Sequence, residues 1–299
     1  MNKKNAFSLI ELSIVILVIG VLIAGVIQGS KMISKAALSS ARTLTESSPV
    51  ASIKSLSLWF ESTSKASFID SESDDNASIS KWYSINPSDT QKISAVQNTS
   101  GLKPKYISNA INNLPAVQLD GSDDYMATTT AFDNSTNIRN SFSVFVVAQA
   151  KNTHEIDTES TSSVTGTSGQ KYLIYPEHGG DLGLLAGAGI SMGTNGISFY
   201  QHAHGYMPAV LVYQATLTKP LVLLMEYNNK VPRLYINGAL ARTGLTSSRT
   251  VLAPSITIGS IEYGVMSGYV AEIIIFNEAL KKSDRDYVND YLKKKWGIK

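Results

Sequence analysis

Paired carboxylates are the first chemistry to test in this sequence, because two acids on one face of a strand can supply the acid and the nucleophile for glycoside hydrolysis. One spacing that would place acids together on a strand face is Glu-x-Asp-x-x-Glu, and that string does not occur here. Glu272 and Glu278 flank an apolar run and a turn, with no third acid between them. The sequence therefore predicts that the protein is not an enzyme.

The acidic run at residues 120–124 (DGSDD) could bind Ca²⁺, which prefers several carboxylate oxygens. The same run also suits a turn between strands, in which Asp120 and Asp123 fix the backbone. Both interpretations stay open. Asp120, Asp123 and Asp124 are the candidate ligands, and Ca²⁺ is the candidate cofactor.

Three histidines form another candidate site. His202 and His204 share a face if their segment is a strand, and with His178 they could bind a metal ion. The surrounding glycines and proline favour a polar loop instead, and the glycines between residues 179 and 196 are interpreted as turns. The lysines at 293–295 are interpreted as cations at a helix C-terminus rather than as a DNA contact.

Glu11 lies inside an apolar segment that runs from Phe7 to Ile27. As a helix the segment is about 30 Å long, enough to cross a bilayer, and the preceding Lys3 and Lys4 favour a cytoplasmic N-terminus. A carboxylate at this depth costs about 2.5–3.5 kcal/mol and calls for a neutralising cation. Cleavage after Ala6 would create an α-amine that a neighbouring subunit could bring to Glu11.

Residues 3–11 (KKNAFSLIE) resemble the prepilin cleavage and methylation motif. The resemblance implies cleavage between Ala6 and Phe7 by a prepilin peptidase, N-methylation of Phe7, and an assembly role for Glu11. One departure is Ala6, where the family usually has glycine, and another is the lack of a helix-kinking proline. The expected parts are a leader at 1–6, a membrane and filament helix at 7–48, and a domain at 49–299.

The helix is expected to continue beyond the bilayer. Ile33, Ala37, Ala41 and Leu44 recur at helical spacing and form a narrow apolar stripe for a partner helix or for the domain. Ser48 precedes Pro49 and should end the helix, because a residue before proline avoids the α region.

Beyond residue 53, short strand-like runs separated by turn signals predict an antiparallel β-sandwich, or jelly roll. The predicted strands are 55–60, 116–119, 142–148, 221–227, 233–236, 255–258 and 270–276. One short C-terminal helix is expected, capped by Ser283, with Tyr287, Val288, Tyr291 and Leu292 on one face. The fold class is therefore mainly β, after a long N-terminal helix.

Several segments resemble the concanavalin A-like lectin and laminin G superfamily. They are residues 57–60 (SLWF), 114–125 (LPAVQLDGSDDY), 234–238 (LYING), 271–277 (AEIIIFN) and 291–298 (YLKKKWGI). The resemblance implies a two-sheet jelly roll of a kind that often binds carbohydrate or protein, sometimes through Ca²⁺.

Composition narrows the choice of function. The 26 basic and 24 acidic residues give a net charge of +2, which provides no overall attraction for nucleic acid, and the absence of cysteine excludes disulfides and thiol chemistry. The main hypothesis is a minor pilin or pseudopilin of a type IV pilus or type II secretion filament. It would sit in the bacterial inner membrane with its domain in the periplasm, assemble with other subunits, and bind a glycan or a surface protein. The alternative is a signal-anchored carbohydrate-binding or carbohydrate-active protein.

Overall fold

A computed structural model describes residues 9–128, 138–178, 185–260 and 262–299 of the chain. The first element is the helix α1, Leu9–Glu46, whose 38 residues extend for about 57 Å. It ends just before Ser47-Ser48-Pro49, where the proline predicts an end.

The described residues after α1 form two β-sheets that pack face to face. The strands are β1 (Leu56–Glu61), β2 (Lys81–Tyr83), β3 (Ser94–Val96), β4 (Lys105–Ile111), β5 (Leu114–Asp120), β6 (Tyr125–Thr128), β7 (Phe142–Ala150), β8 (Tyr172–Tyr175), β9 (Leu185–Gly193), β10 (Gly196–His202), β11 (Ala209–Gln214), β12 (Leu221–Asn228), β13 (Val231–Ile236), β14 (Ala239–Thr243), β15 (Val251–Pro254), β16 (Thr257–Gly259) and β17 (Ser267–Phe276).

The first sheet has the strand order β14-β13-β12-β7-β17-β5-β4, and β1 also pairs with β17. The second sheet has the order β11-β10-β9-β8-β16-β6-β3-β2, and β15 pairs with β9. All of these pairs are antiparallel except β15 with β9. This confirms the predicted fold class, a long helix followed by an antiparallel β-sandwich.

The central strands of the first sheet, β12, β7 and β17, are buried on both faces. Along β7, Val144, Val146 and Ala148 point into the core between the sheets, whereas Phe145 and Val147 point to the other side. That outer face is covered by the end of α1 and by the C-terminal helix α2, Lys282–Trp296. Double coverage explains why β7 reads as a continuous apolar run instead of an alternating one.

The start and exposed face of α2 differ from the prediction. The residue that caps the helix is Lys281, without a side-chain capping bond, and not Ser283. Val288, Tyr291 and Leu292 are buried as predicted, but Tyr287 is exposed. Tyr287 lies about 100° around the helix from Val288, which places it beyond the edge of the buried stripe.

Two strand assignments also need correction. The run at 255–258 lies across the break between β15 and β16, so it is not one strand. The glycine-rich stretch 185–193, interpreted as turns, is the buried strand β9. Neighbouring backbone approaches this strand so closely that a side chain would not fit at its glycines, which is why glycine occurs inside the strand. Residues 179–184 lie outside the described range.

Candidate functional site

The N-terminal half of α1 projects away from the sandwich. Leu9–Val26 is long and apolar enough to cross a membrane, with a mean hydropathy of 2.8, and its side chains are not buried in the protein. Glu11 lies in the first turn of this segment. Ala6 and Phe7, the predicted processing residues, lie outside the described range, so cleavage and methylation stay predictions.

The C-terminal half of α1 is docked on the first sheet. Ala41 is buried, and Ala37 and Leu44 pack around it. Arg42 Nε donates a hydrogen bond to the carbonyl oxygen of Thr63 at 2.7 Å. Ile33 is 67% exposed, so the part of the predicted apolar stripe that packs into the domain is Ala37, Ala41 and Leu44.

A cluster of buried charges lies beneath this docking surface. Glu61 on β1 and Glu272 on β17 are register partners, and Lys295 of α2 is inserted between their carboxylates. All three side chains are 0% exposed. Lys295 Nζ bonds Glu61 Oε1, Glu272 Oε2 at 2.9 Å and Tyr291 Oη at 3.2 Å, which uses all three donors of the ammonium group.

Each carboxylate in this cluster has further donors. Glu272 accepts hydrogen bonds from Trp59 Nε1 at 2.7 Å, Trp296 Nε1 at 2.8 Å and Tyr291 Oη at 2.8 Å. Glu61 accepts bonds from the residue 63 and 64 amides at 2.8 Å and 2.6 Å. Burial raises the pKa of Glu272; the charge of Lys295 opposes this, and that of Glu61 adds to it.

The buried cluster connects both helices to the sheet. Thr45 of α1 lies 3.3 Å from Tyr291 Oη, so α1 also contacts the network. Because the charges of this cluster do not reach solvent, the cluster positions α2 on the sheet and does not bind a substrate. Lys295 lies in the last turn of α2, as predicted, but its ammonium group also bonds two buried glutamates, which the sequence pattern did not predict. The signal in the sequence was a glutamate within each of two apolar strands.

The predicted acidic site is a compact turn between β5 and β6. One carboxylate oxygen from each of Asp120, Asp123 and Asp124 lies within 4.8 Å of the others. Asp120 Oδ1 accepts the Ser122 amide at 2.7 Å, and Asp124 Oδ2 accepts the Asp120 amide at 2.8 Å. Burial, with the charges of Asp120 and Asp123, raises the pKa of Asp124 to about 6. The turn is present as predicted, and Ca²⁺ binding stays a prediction.

The three histidines converge at one end of the second sheet. The ring centroids of His178 and His202 are 5.0 Å apart, and those of His178 and His204 are 6.2 Å apart. Tyr175 lies beside His202, and its hydroxyl donates to Glu262 Oε2 at 2.9 Å. The sequence suggested this grouping as the weaker of two interpretations.

Trp59, Trp82 and Trp296 are all buried, so they contribute to packing inside the protein. A further polar pair joins β10 to the loop after β7: Tyr200 Oη donates to Asp157 Oδ2 at 2.6 Å. Tyr200 is fully buried, and burial raises its pKa strongly, so this hydroxyl also acts in packing.

Comparisons with known proteins match the N-terminal segment and the sandwich separately. Residues 1–27 match the family model described as the prokaryotic N-terminal methylation motif. The fold is similar to the binding domain of Paraclostridial mosquitocidal protein 1, with 11% identity and a TM-score of 0.53 over 81% of this chain and 55% of that structure.

It is equally similar to a structure of botulinum neurotoxin type C, a toxin whose cell entry is described as dependent upon interaction with two ganglioside molecules. The identity is 14% and the TM-score 0.53, over 81% of this chain and 52% of the other. This chain thus spans about half the length of the two structures. No curated protein sequence matches it.

Together these findings describe a chain in two parts. It carries a prepilin-type N-terminal methylation motif on an apolar helix that is long enough to cross a membrane, followed by a β-sandwich similar in fold to the two toxin structures.

Proposed function

We propose that this protein is a minor pilin or pseudopilin, a subunit of a type IV pilus or of a type II secretion filament, which displays its sandwich for adhesion or binding. The observation that carries the proposal is the continuous helix α1. Its N-terminal half is exposed, apolar and carries Glu11, whereas its C-terminal half is fixed to the sandwich. A helix of this kind can pack into a filament while holding an attached domain in one orientation.

Processing precedes assembly in this proposal. The subunit lies in the bacterial inner membrane with its domain in the periplasm until a prepilin peptidase cuts between Ala6 and Phe7. The new amine of Phe7, once methylated, neutralises Glu11 of a neighbouring subunit. A buried ion pair depends on its geometry, so this contact acts mainly on the register of the subunits.

The proposed ligand of the sandwich is a glycan or a surface protein. Botulinum neurotoxin type C, which has a similar fold and whose cell entry depends on two ganglioside molecules, supports the glycan class. We propose binding without catalysis. A glycan-array screen with and without Ca²⁺ tests both the ligand class and the acidic turn at Asp120, Asp123 and Asp124. Calcium-dependent signals should disappear in Asp123→Asn.

Two measurements test the filament proposal. Mass spectrometry should find N-methyl-Phe7 as the first residue, and the protein should be recovered in sheared filaments. An intact Met1 terminus in assembled protein contradicts the processing step. A methylated protein that never leaves the membrane fraction supports the alternative, an anchored carbohydrate-binding protein. Neighbouring genes for a retraction ATPase would favour the pilus, and those for a secretin with secreted hydrolases would favour secretion.

A further inference from the structure

The topology of the second sheet brings three histidines to one end. Strands β8, β9 and β10 are successive antiparallel neighbours, so β8 and β10 end at the same edge. His178 follows β8 by three residues, and His202 is the last residue of β10. His204 lies in the turn between β10 and β11.

Two glycines of β9 allow the chain after β8 to cross this strand. Gly187 is the register partner of His202. A Cβ atom at Gly187 would lie 2.2 Å from the carbonyl oxygen of Glu177, and one at Gly189 would lie 2.4 Å from the backbone nitrogen of Pro176. Any side chain here would push the crossing segment away, so the glycines are what permit His178 to approach His202.

The hydrogen bonds also orient one imidazole for metal binding. His202 Nδ1 lies 2.9 Å from the carbonyl oxygen of Pro176, and this contact requires a proton on Nδ1. Nε2 of the neutral ring then carries a lone pair. A backbone carbonyl that fixes the tautomer in this way is the usual support of a metal-binding histidine.

The spacing of the rings suits a shared ion. Two imidazoles bound to one tetrahedral ion through Zn–N bonds of about 2 Å have ring centroids roughly 5 Å apart. The His178–His202 distance is 5.0 Å. His204 is 6.2 Å from His178, about 1 Å beyond that spacing, and its exposed side chain can rotate to close the difference.

We propose that His178, His202 and His204 form a binding site for a divalent transition-metal ion such as Zn²⁺. His178 and His202 supply the preformed pair, and His204 completes the site on binding. Imidazole nitrogens suit zinc, copper and nickel, whereas calcium prefers oxygen, so this site is distinct in chemistry from the acidic turn. The ion would tie the end of β8 to the β10–β11 turn and leave a fourth position for water or a ligand.

Zinc titration by calorimetry, on the full chain in detergent after metal removal, tests the proposal. We expect one saturable site, at least about tenfold weaker in His178→Ala and in His202→Ala, with a smaller loss in His204→Ala. Lys294→Met, at an exposed position of α2, is the control and should bind zinc like the unmodified protein, whereas Asp123→Asn reports any zinc held by the acidic turn instead. No saturable binding, or binding that Asp123→Asn removes and the histidine variants keep, overturns the proposal.

A glycine variant tests the geometry without removing a ligand. Gly187→Ala should weaken zinc binding, because its methyl group displaces the segment that carries His178. Gly101→Ala is the matched control, since a Cβ atom at Gly101 meets nothing within 4 Å. Thermal unfolding without zinc identifies any variant that fails to fold, in which case the histidine variants decide. Unchanged zinc affinity in a folded Gly187→Ala contradicts the role given to the crossing.

Discussion

Glu11 and the pair Glu61 and Glu272 are acids in apolar surroundings, but they lie in different regions. Glu61 and Glu272 are enclosed in the protein, where Lys295 of the same chain bonds both. Glu11 lies on the exposed apolar half of α1, and the cation proposed for it belongs to another subunit. The physical problem is the same in both regions, because a charge in a medium of low polarity needs an opposite charge or hydrogen-bond donors.

The location of the neutralising group decides what each charge can do. A neutralising cation that belongs to the same chain is always present, so the cluster holds α2, the sheet and the end of α1 together. A group on a neighbouring subunit makes the contact conditional on the correct stagger. The same chemistry therefore stabilises the fold in one region and, in our proposal, selects the filament register in the other.

Replacing the lysine of the buried cluster should give the largest effect. Lys295→Met leaves two facing carboxylates without their cation, and we expect a loss of about 3–5 kcal/mol in the free energy of unfolding. Chemical denaturation measures this loss. Lys294→Met is the matched control, because Lys294 is exposed one position earlier, and its effect should stay within about 0.5 kcal/mol. Equal effects of the two variants on the free energy of unfolding would show that the cluster does not stabilise the fold.

The corresponding change in the other region should spare folding and damage assembly. Glu11→Ala should insert into the membrane and be cleaved, since the bond between Ala6 and Phe7 is unchanged, but its recovery in sheared filaments should fall by at least about tenfold. Membrane fractionation separates the steps. Ser13→Ala is the control, because Ser13 Oγ bonds Ile10 O within the helix. Normal incorporation of Glu11→Ala would contradict the pairing of subunits through this residue.

The connection between the two regions can be tested by truncation. A fragment of residues 50–299 should fold alone as a monomeric β protein. It should be less stable by roughly 2 kcal/mol than residues 34–299, which keep the Arg42–Thr63 and Thr45–Tyr291 bonds and buried Ala41. Circular dichroism and urea unfolding measure both points. A helix-dominated spectrum for the shorter fragment, or equal stability of the two, would contradict the docking described here.

Asp124 extends the comparison to a carboxyl that is buried without a bonded cation. Its pKa in the folded protein is about 6, above the ordinary value of 3.8, so the folded state holds the proton more tightly than the unfolded state. The contribution of this group to stability is therefore full below about pH 4 and is lost as the pH rises through about 6.

Unfolding measured between pH 4 and 7 should show this loss as about 1 kcal/mol, after allowance for solvent screening at the turn. Asp124→Asn should flatten the profile in that range, because its amide can still accept the Asp120 amide but does not titrate. An unchanged profile in the variant would assign the pH dependence to other groups.

The sequence predicted those features that depend on residues close together along the chain. The apolar run with Glu11, the end of α1 before Pro49 and the β-rich character of the domain all follow from local pattern, and the described residues agree. It failed where local signals were weak or misleading. The strand β9 contains glycines because other backbone crosses it, and nothing near those glycines along the chain indicates the crossing.

Contacts between distant residues required the folded chain. Lys295 meets Glu61 across 234 positions, and in the sequence it is one of three consecutive lysines. His178 meets His202 only because β8 and β10 end at the same edge. Local pattern specifies which residues are apolar, charged or able to turn. The pairing of strands and the packing of helices decide which of those residues become neighbours, because burial energy depends on what surrounds a group in space and not on what adjoins it in the chain.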